Sequence, residues 1–276
     1  MTRGNESSAS DSIVEIWFNE LVEAPDIADG GETLEVGERW KWDGKQDIYL
    51  PTLASEINKP IPDTEIRGWL LADENKQRIQ DHLSRYFSVK YSGKHFEWFV
   101  KQSDSKMFTP WDILAVEALS RTVPTETARW LFEPNSKRDE LHAESLRSLV
   151  PGRDSLWTCD EKLLDEGGAL RGLYKLLRKQ SGLGYVTASK LLATKFPAVV
   201  PIRDSKVETL LGLEKSREWW SPIRKLFVVP DQSLAGYLDE LKVPAVVGEV
   251  TTLRRLDVIL WMEAKARKIE TKTRRT

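Results

Sequence analysis

The chain has 276 residues, of which 40% are hydrophobic and 30% are charged, a composition typical of a soluble globular protein. Its single cysteine, Cys159, excludes an internal disulfide framework and any metal or cluster site built from several cysteines. The three histidines lack the spacing of metal ligands, so we predict neither a metal nor a small-molecule cofactor. A polar beginning and the lack of a long apolar run predict a cytoplasmic protein without a membrane partner.

The net charge of −2 conceals an asymmetry along the chain. Residues 1–66 contain fifteen acidic and five basic side chains, whereas residues 168–207 contain eight basic side chains and one acidic one. Residues 264–276 contain six basic side chains and one acidic one. Local positive charge of this kind favours a polyanion such as DNA as the partner. The alternative is that each charged run is the solvated face of a helix.

The N-terminal quarter of the chain predicts little regular structure. We expect a disordered terminus over residues 1–12 and an irregular acidic arm over residues 13–62, with a short helix at 13–23 and a short strand or hairpin within 36–51. A helical domain over residues 63–268 and a basic tail over 269–276 complete the chain.

Helical patterns dominate from residue 63 onward and predict an all-α fold of about ten helices. Apolar residues on one face favour a helix over residues 63–85. Around Ser92-Gly93 two alternatives stay open, a hairpin or a loop that begins a helix. Thr109, Pro110 and Asp112 form a capping-box pattern that starts the next helix. Further helices are expected after Pro124, over 136–150, over 160–180 with a break at 167–168, and near 205–213, 217–227, 231–242 and 251–268.

The most informative stretch is residues 181–207, SGLGYVTASKLLATKFPAVVPIRDSKV. Two amphipathic helices flank Gly-Leu-Gly, which predicts a helix-hairpin-helix over residues 168–196. Glycine permits positive φ and leaves backbone N–H groups unobstructed, so the turn and the next helix N-terminus can bind a DNA phosphate. The alternative is an αα-hairpin that needs only a glycine C-cap. The predicted phosphate-contacting residues are Gly182, Leu183, Gly184, Tyr185, Thr187 and Lys190.

This stretch resembles the helix-hairpin-helix base-excision DNA glycosylases. In that superfamily a similar hairpin is followed by a helix, a proline-containing turn and a catalytic aspartate, which implies that Asp204 is catalytic here. Val186 stands where the bifunctional members carry a nucleophilic lysine, and Lys190 is one turn further on. The resemblance therefore implies either a monofunctional enzyme or a relative that kept the DNA-binding hairpin and lost the chemistry. From about residue 85 the chain is also similar to a family of uncharacterised bacterial proteins.

The role of Asp204 has two interpretations. A carboxylate beside the sugar can stabilise an oxocarbenium ion and activate water. Alternatively, Asp204 is a helix N-cap; the Ser205–Glu208 capping-box pattern, however, allows Ser205 to cap and leaves Asp204 available. Most of the eleven tryptophans are expected in the core, and Trp111 and Trp130 are the candidates for a base pocket.

Two functions therefore follow from the sequence. The first is a DNA-binding helix-hairpin-helix protein that acts as a monofunctional N-glycosylase on a flipped base. The alternative is a non-catalytic scaffold that binds nucleic acid or another protein. A nuclease is a weaker third possibility, because no cluster of carboxylates suggests a metal site.

Overall fold

Helices account for all of the regular secondary structure in the part of the chain that the structure describes. The structure is a computed structural model, and it describes residues 56–88, 91–214, 216–229, 233–244 and 249–269, which belong to one compact unit spanning residues 49–276. Within these ranges no β-strand occurs, so the all-α prediction is confirmed there. The predicted terminus, residues 13–55 of the predicted arm and residues 270–276 of the predicted tail lie outside the described residues.

The helices follow one another with connections of three to thirteen residues. In chain order they are α1 (Ile66–Leu71), α2 (Lys76–Ser88), α3 (Phe96–Gln102), α4 (Pro110–Ala118), α5 (Thr125–Phe132), α6 (Ser136–Arg147), α7 (Glu161–Leu164), α8 (Ala169–Arg178), α9 (Tyr185–Ala193), α10 (Ser205–Leu210), α11 (Trp220–Phe227), α12 (Ser233–Glu240) and α13 (Thr252–Ala266). Two 3₁₀ turns, Asp73–Asn75 and Ser92–His95, precede α2 and α3.

Local sequence signals set several helix boundaries. The capping box predicted at the start of α4 is confirmed, because the Asp112 carboxylate accepts a hydrogen bond from the Thr109 N–H at 2.7 Å. At Ser92-Gly93 the loop alternative is confirmed, since the 3₁₀ turn there leads directly into α3. The helix expected over residues 63–85 is instead two helices, α1 and α2, because the chain turns at the Asp73–Asn75 3₁₀ segment.

The helices enclose one continuous apolar core. Helix α2 packs on α13, α4 packs on α3, α8 packs on α6, and α9 lies against both α4 and α8. Residues 56–62, which the sequence places in the arm, also contact these helices: Ile61 is buried, and its N–H donates to the Leu210 carbonyl at 2.8 Å. None of the helices in the described ranges is both long enough and apolar enough to cross a bilayer.

A buried ion pair joins the start of α4 to the residues after α9. Lys195 Nζ lies 2.6 Å from Asp112 Oδ2, and neither side chain is exposed to solvent. Ser103 completes the cluster, accepting from Lys195 Nζ at 2.7 Å and donating to the Asp112 carboxylate at 2.8 Å. Because each charge is compensated by the other and by hydrogen bonds, this cluster fixes α9 against α4.

Candidate functional site

The turn between α8 and α9, residues 179–184 and hereafter the hairpin turn, is held tightly by the start of α5. Gly182 has φ of +74°, and a Cβ at this position would lie 2.9 Å from Pro124 Cδ and closer still to Cγ. Thr127 Oγ1 donates to the Ser181 carbonyl at 2.7 Å. Only glycine meets both requirements at residue 182, so the fold itself demands Gly182.

Gly184 differs from Gly182 because its conformation is open to any residue. It precedes α9 as the N-cap with φ of −72°, and a Cβ there would meet open space. The first N–H groups of α9 have no intrahelical acceptor, as at any helix N-terminus, and Gly184 leaves the approach to them unobstructed. Leu183 between the glycines, predicted as a phosphate contact, is buried instead and holds the turn against the core.

The other predicted phosphate contacts divide between the surface and the interior. The Tyr185 ring lies under the Arg178 guanidinium at 3.2 Å from its centroid, with Arg203 on it at 4.8 Å. Thr187, in contrast, is buried within α9. Of the predicted set, Gly182 and Gly184 are exposed and Tyr185 is half-buried, whereas Leu183, Thr187 and Lys190 are buried.

Much of the positive charge of residues 168–207 is compensated by carboxylates of the same chain. Five of its eight basic side chains form ion pairs with carboxylates. These pairs are Arg171–Glu218, Lys175–Glu166, Lys190–Asp204, Lys195–Asp112 and Arg203–Glu208. The local excess of basic residues consequently overstates the positive charge that this region can present to a polyanion.

A cavity of about 260 Å³ lies beside α9 and the start of α10, and we call it the Asp204 cavity. Its volume is below the ~300–1,000 Å³ of pockets for drug-sized ligands, which favours a guest no larger than a base or nucleoside. Polar side chains on its walls include Arg121, Lys190, Asp204, Lys206, Arg254 and Asp257.

Asp204 serves both as a helix cap and as a wall of this cavity. Its Oδ1 accepts from the Lys206 N–H at 3.0 Å, and its Oδ2 lies 3.2 Å from Lys190 Nζ. The alternative in which Ser205 caps α10 is therefore wrong, because Asp204 is the N-cap and its side chain accepts the capping bond. The two interpretations of Asp204 are compatible, since one oxygen caps the helix and the residue still borders the cavity.

Lys190 lies in the cavity wall instead of on the outer surface of the hairpin. Its side chain is only 4% exposed, and its ammonium group donates to the Leu119 carbonyl at 2.9 Å and to Asp204. Burial lowers the pKa of Lys190, although the Asp204 carboxylate opposes that effect. The predicted contact of Lys190 with DNA phosphate does not fit this position, because α9 turns that face toward α4 and α10.

Helix α13 supplies a second carboxylate that the sequence analysis missed. Asp257 borders the cavity, and burial raises its pKa from the usual value of 3.8 to about 6. The neighbouring Arg254 forms an ion pair with Asp257 and donates to Glu97 at 2.7 Å and to the Tyr86 hydroxyl at 2.9 Å. The spacing of residues 254, 257, 258 and 261 on one helical face was the signal that could have identified this wall.

An aromatic wall stands beside these polar groups. Tyr91 stacks on Tyr86 at 5.5 Å, and Trp261 meets Tyr91 edge to face at 5.5 Å. All three rings line the Asp204 cavity. These rings, and not those of Trp111 and Trp130, form the aromatic part of this cavity.

Trp111 and Trp130 lie elsewhere in the fold and do not line this cavity. Trp111 packs against Trp98 at 5.8 Å and Phe99 at 6.3 Å, which joins α4 to α3. Trp130 lies under the Arg138 guanidinium at 5.2 Å, between α5 and α6. Both rings serve helix packing, as most large aromatic side chains do.

A second cavity of about 580 Å³ lies on the other side of Arg254, lined largely by apolar residues of α3 and the residues after α9. It lacks Asp204, Lys190 and Asp257, so the Asp204 cavity is the better candidate for chemistry. In the described ranges no three His, Cys, Asp or Glu side chains come together as a metal site requires.

Comparison with protein families assigns the chain to a group. Residues 79–264 match the family described as "family of unknown function (DUF6308)", and this span covers more than half of the chain. The chain belongs to the DUF6308 family. The matched span begins within α2 and ends within α13, so every residue that lines the Asp204 cavity, from Tyr86 to Trp261, falls within the DUF6308 region. No curated protein and no solved structure matches the chain.

Proposed function

We propose that this DUF6308 chain binds DNA through α8, the hairpin turn and α9, and hydrolyses the N-glycosyl bond of a base flipped into the Asp204 cavity. The observation that carries the proposal is the position of Asp204. It begins the helix that follows the hairpin and borders a cavity sized for one base, with aromatic rings on another wall. A flipped base needs both a stacking surface and a polar group near its sugar.

The chemistry follows from the groups around Asp204. Cleavage of an N-glycosyl bond develops positive charge on the sugar, and a carboxylate beside C1′ stabilises that charge and orients water. Asp204 is held in place by the Lys206 N–H and Lys190 Nζ, so it reaches the sugar without a conformational search. Stacking of the base on an aromatic ring of the cavity wall contributes about 1–3 kcal/mol, against an unstacking penalty of a few kcal/mol.

The DNA backbone would be positioned by the hairpin turn and by the rim of the cavity. Gly184 leaves the first amides of α9 open to a phosphate, and Arg121 and Lys206 stand at the cavity wall. Such contacts carry no sequence information, so selectivity would come from the cavity. Val186 stands where a nucleophilic lysine occurs in bifunctional glycosylases, and the proposal is therefore hydrolysis without strand cleavage.

Two observations favour a second candidate, a non-catalytic scaffold that binds nucleic acid or another protein. The capping bond to Lys206 gives Asp204 a structural role that needs no chemistry. The five ion pairs made by basic side chains of residues 168–207 also reduce the charge available to DNA. This candidate predicts salt-dependent binding of DNA, or none, without release of any base.

The test is to incubate the protein with duplexes that carry alkylated, deaminated or oxidised bases, and then to cleave abasic sites with alkali. Asp204→Asn should lower the rate of base release by at least about 100-fold, which is the range expected for loss of a general base. Asparagine keeps the helix cap but leaves the buried Lys190 ammonium without its carboxylate, so the stability of Asp204→Asn is measured by urea denaturation and activities are compared where both proteins are folded. Release of a base at an unchanged rate by Asp204→Asn would remove the catalytic assignment.

A matched control is available on another helix. Asp160 caps α7 in the same way, accepting from the Lys162 N–H at 3.0 Å, but it does not line the Asp204 cavity. Asp160→Asn should therefore retain full activity. Borohydride should trap no covalent adduct between protein and DNA; a trapped adduct that Lys190→Met abolishes would indicate a lyase instead of a hydrolase.

A further inference from the structure

Asp257 faces the same cavity as Asp204 but lies on a different element. It stands in the middle of α13, one turn before Trp261, and both residues line the cavity. Its Oδ2 accepts from Arg254 Nη1, while Oδ1 has no hydrogen-bond partner among the residues that the structure describes. Oδ1 is therefore the oxygen of Asp257 that a guest in the cavity can engage.

The surroundings of Asp257 favour a carboxyl that exchanges its proton near neutral pH. Burial raises the pKa of Asp257 to about 6 and outweighs the opposing effects of Arg254 and Lys190, while the nearby Asp204 carboxylate raises it further. The remaining titratable or charged groups on the cavity walls are Tyr86, Tyr91, Arg121 and Lys206. Two carboxyl groups in one cavity, one of them with a raised pKa, form the usual arrangement for paired acid and base chemistry.

We infer that Asp257 is the general acid of the reaction, and that its carboxyl group donates a proton to an acceptor nitrogen of the flipped base as the base leaves. The inference rests on the proposed function and names its substrate class. The substrates are neutral bases that must gain a proton to leave, of which purines with an unmodified ring nitrogen are the simplest examples. Asp257 is the leaving-group partner, and Asp204 acts on the sugar and water.

The step balances as follows. The bond between C1′ and the base nitrogen breaks, its electron pair goes to the base, and the proton of Asp257 goes to the base ring nitrogen. Water adds to C1′ and gives its proton to the Asp204 carboxylate. The products are the neutral base and an abasic sugar with a hydroxyl at C1′. Proton transfer through solvent then returns Asp257 to the acid form and Asp204 to the carboxylate, and no oxidant or reductant takes part.

The test compares a neutral base with a cationic one. Duplexes carrying hypoxanthine require a proton for departure, whereas duplexes carrying 7-methylguanine already have a positive leaving group. We expect Asp257→Asn to slow hypoxanthine release by about 100-fold, the lower end of general acid catalysis, and to change 7-methylguanine release by less than about threefold. Glu97→Gln is the matched control, because Glu97 also pairs with Arg254 but does not line the Asp204 cavity.

The pH profile gives a second readout. Hypoxanthine release by the wild type should fall tenfold per pH unit above about pH 6, because the acid form of Asp257 is lost, and this limb should be absent in Asp257→Asn. Three results would overturn the inference while leaving the proposed function intact. They are an equal effect of Asp257→Asn on both duplexes, the same effect in Glu97→Gln, and release of 7-methylguanine alone by the wild type. Release of neither base, nor of any other modified base, would overturn the proposed function.

Discussion

The two glycines of the hairpin turn should respond differently to replacement by alanine. Gly182→Ala should weaken folding, whereas Gly184→Ala should weaken DNA binding. At Gly182 the φ of +74° places an alanine in the left-handed region, which costs about 1–2 kcal/mol. The new Cβ would also overlap the Pro124 ring, and overpacking of this kind costs about 1–3 kcal/mol. Gly182→Ala should therefore lower the free energy of unfolding by about 2–5 kcal/mol.

At Gly184 the same change should be nearly neutral for folding. Its φ of −72° suits alanine and its Cβ meets open space, so only the weaker capping by alanine remains, about 1 kcal/mol or less. DNA binding should weaken, however, because the methyl group covers the approach to the first amides of α9. Loss of one hydrogen bond to a phosphate corresponds to at least about tenfold in affinity.

Urea denaturation of the two variants measures the first effect, with the slope of the transition checked for constancy. Fluorescence anisotropy with a labelled duplex at two salt concentrations measures the second. Gly167→Ala is the matched control, because its Cβ also meets open space and it lies outside the hairpin turn. Equal loss of stability in both variants would refute the assignment of Gly182 to folding. Unchanged affinity in Gly184→Ala would refute the phosphate site.

Three further predictions concern the scaffold. Asp112→Ala should cost about 3–5 kcal/mol of unfolding free energy, because it leaves the Lys195 ammonium buried without its carboxylate; a loss under about 1 kcal/mol in urea denaturation would contradict this. Burial lowers the pKa of His142 to about 4. The free energy of unfolding should therefore decline by up to about 3 kcal/mol as the pH falls from 6.5 to 4. In His142→Gln, melting measured across this range should show a smaller dependence of stability on pH. Ser120 has φ of +58° after α4, so Ser120→Gly should raise the unfolding free energy by about 1 kcal/mol, and a decrease in the melting midpoint would count against it.

Much of the fold follows from local patterns in the sequence. The capping box at Thr109, the break before α8 and the Gly-Leu-Gly turn are signals carried by a few adjacent residues, and the structure places a helix boundary at each. Gly182 shows where such reasoning stops. Its positive φ follows from the turn, but its steric reason is Pro124, which is nearly sixty residues earlier in the chain.

The cavity was harder to anticipate because it is assembled from distant elements. Asp257 and Trp261 lie in α13, more than fifty residues beyond Asp204, and neither belongs to a recognisable motif. The charge count also misled, since the sequence lists Lys190 as positive without showing that Asp204 neutralises it at 3.2 Å. Tertiary contacts decide which charges are paired and which face solvent, and a count of charges along the sequence does not show those contacts.

The most direct test of the central claim needs no knowledge of the target base. A duplex with a cationic pyrrolidine abasic-site analogue resembles the charged sugar, whereas a duplex with the neutral tetrahydrofuran analogue has the same shape without the charge. A carboxylate beside the sugar should favour the cationic duplex by about 10-fold or more, corresponding to about 1.5–3 kcal/mol for a charged hydrogen bond. We predict that Asp204→Asn abolishes this preference while Asp160→Asn keeps it. Equal affinity of the wild type for the two duplexes, or a preference that survives in Asp204→Asn, would contradict the account.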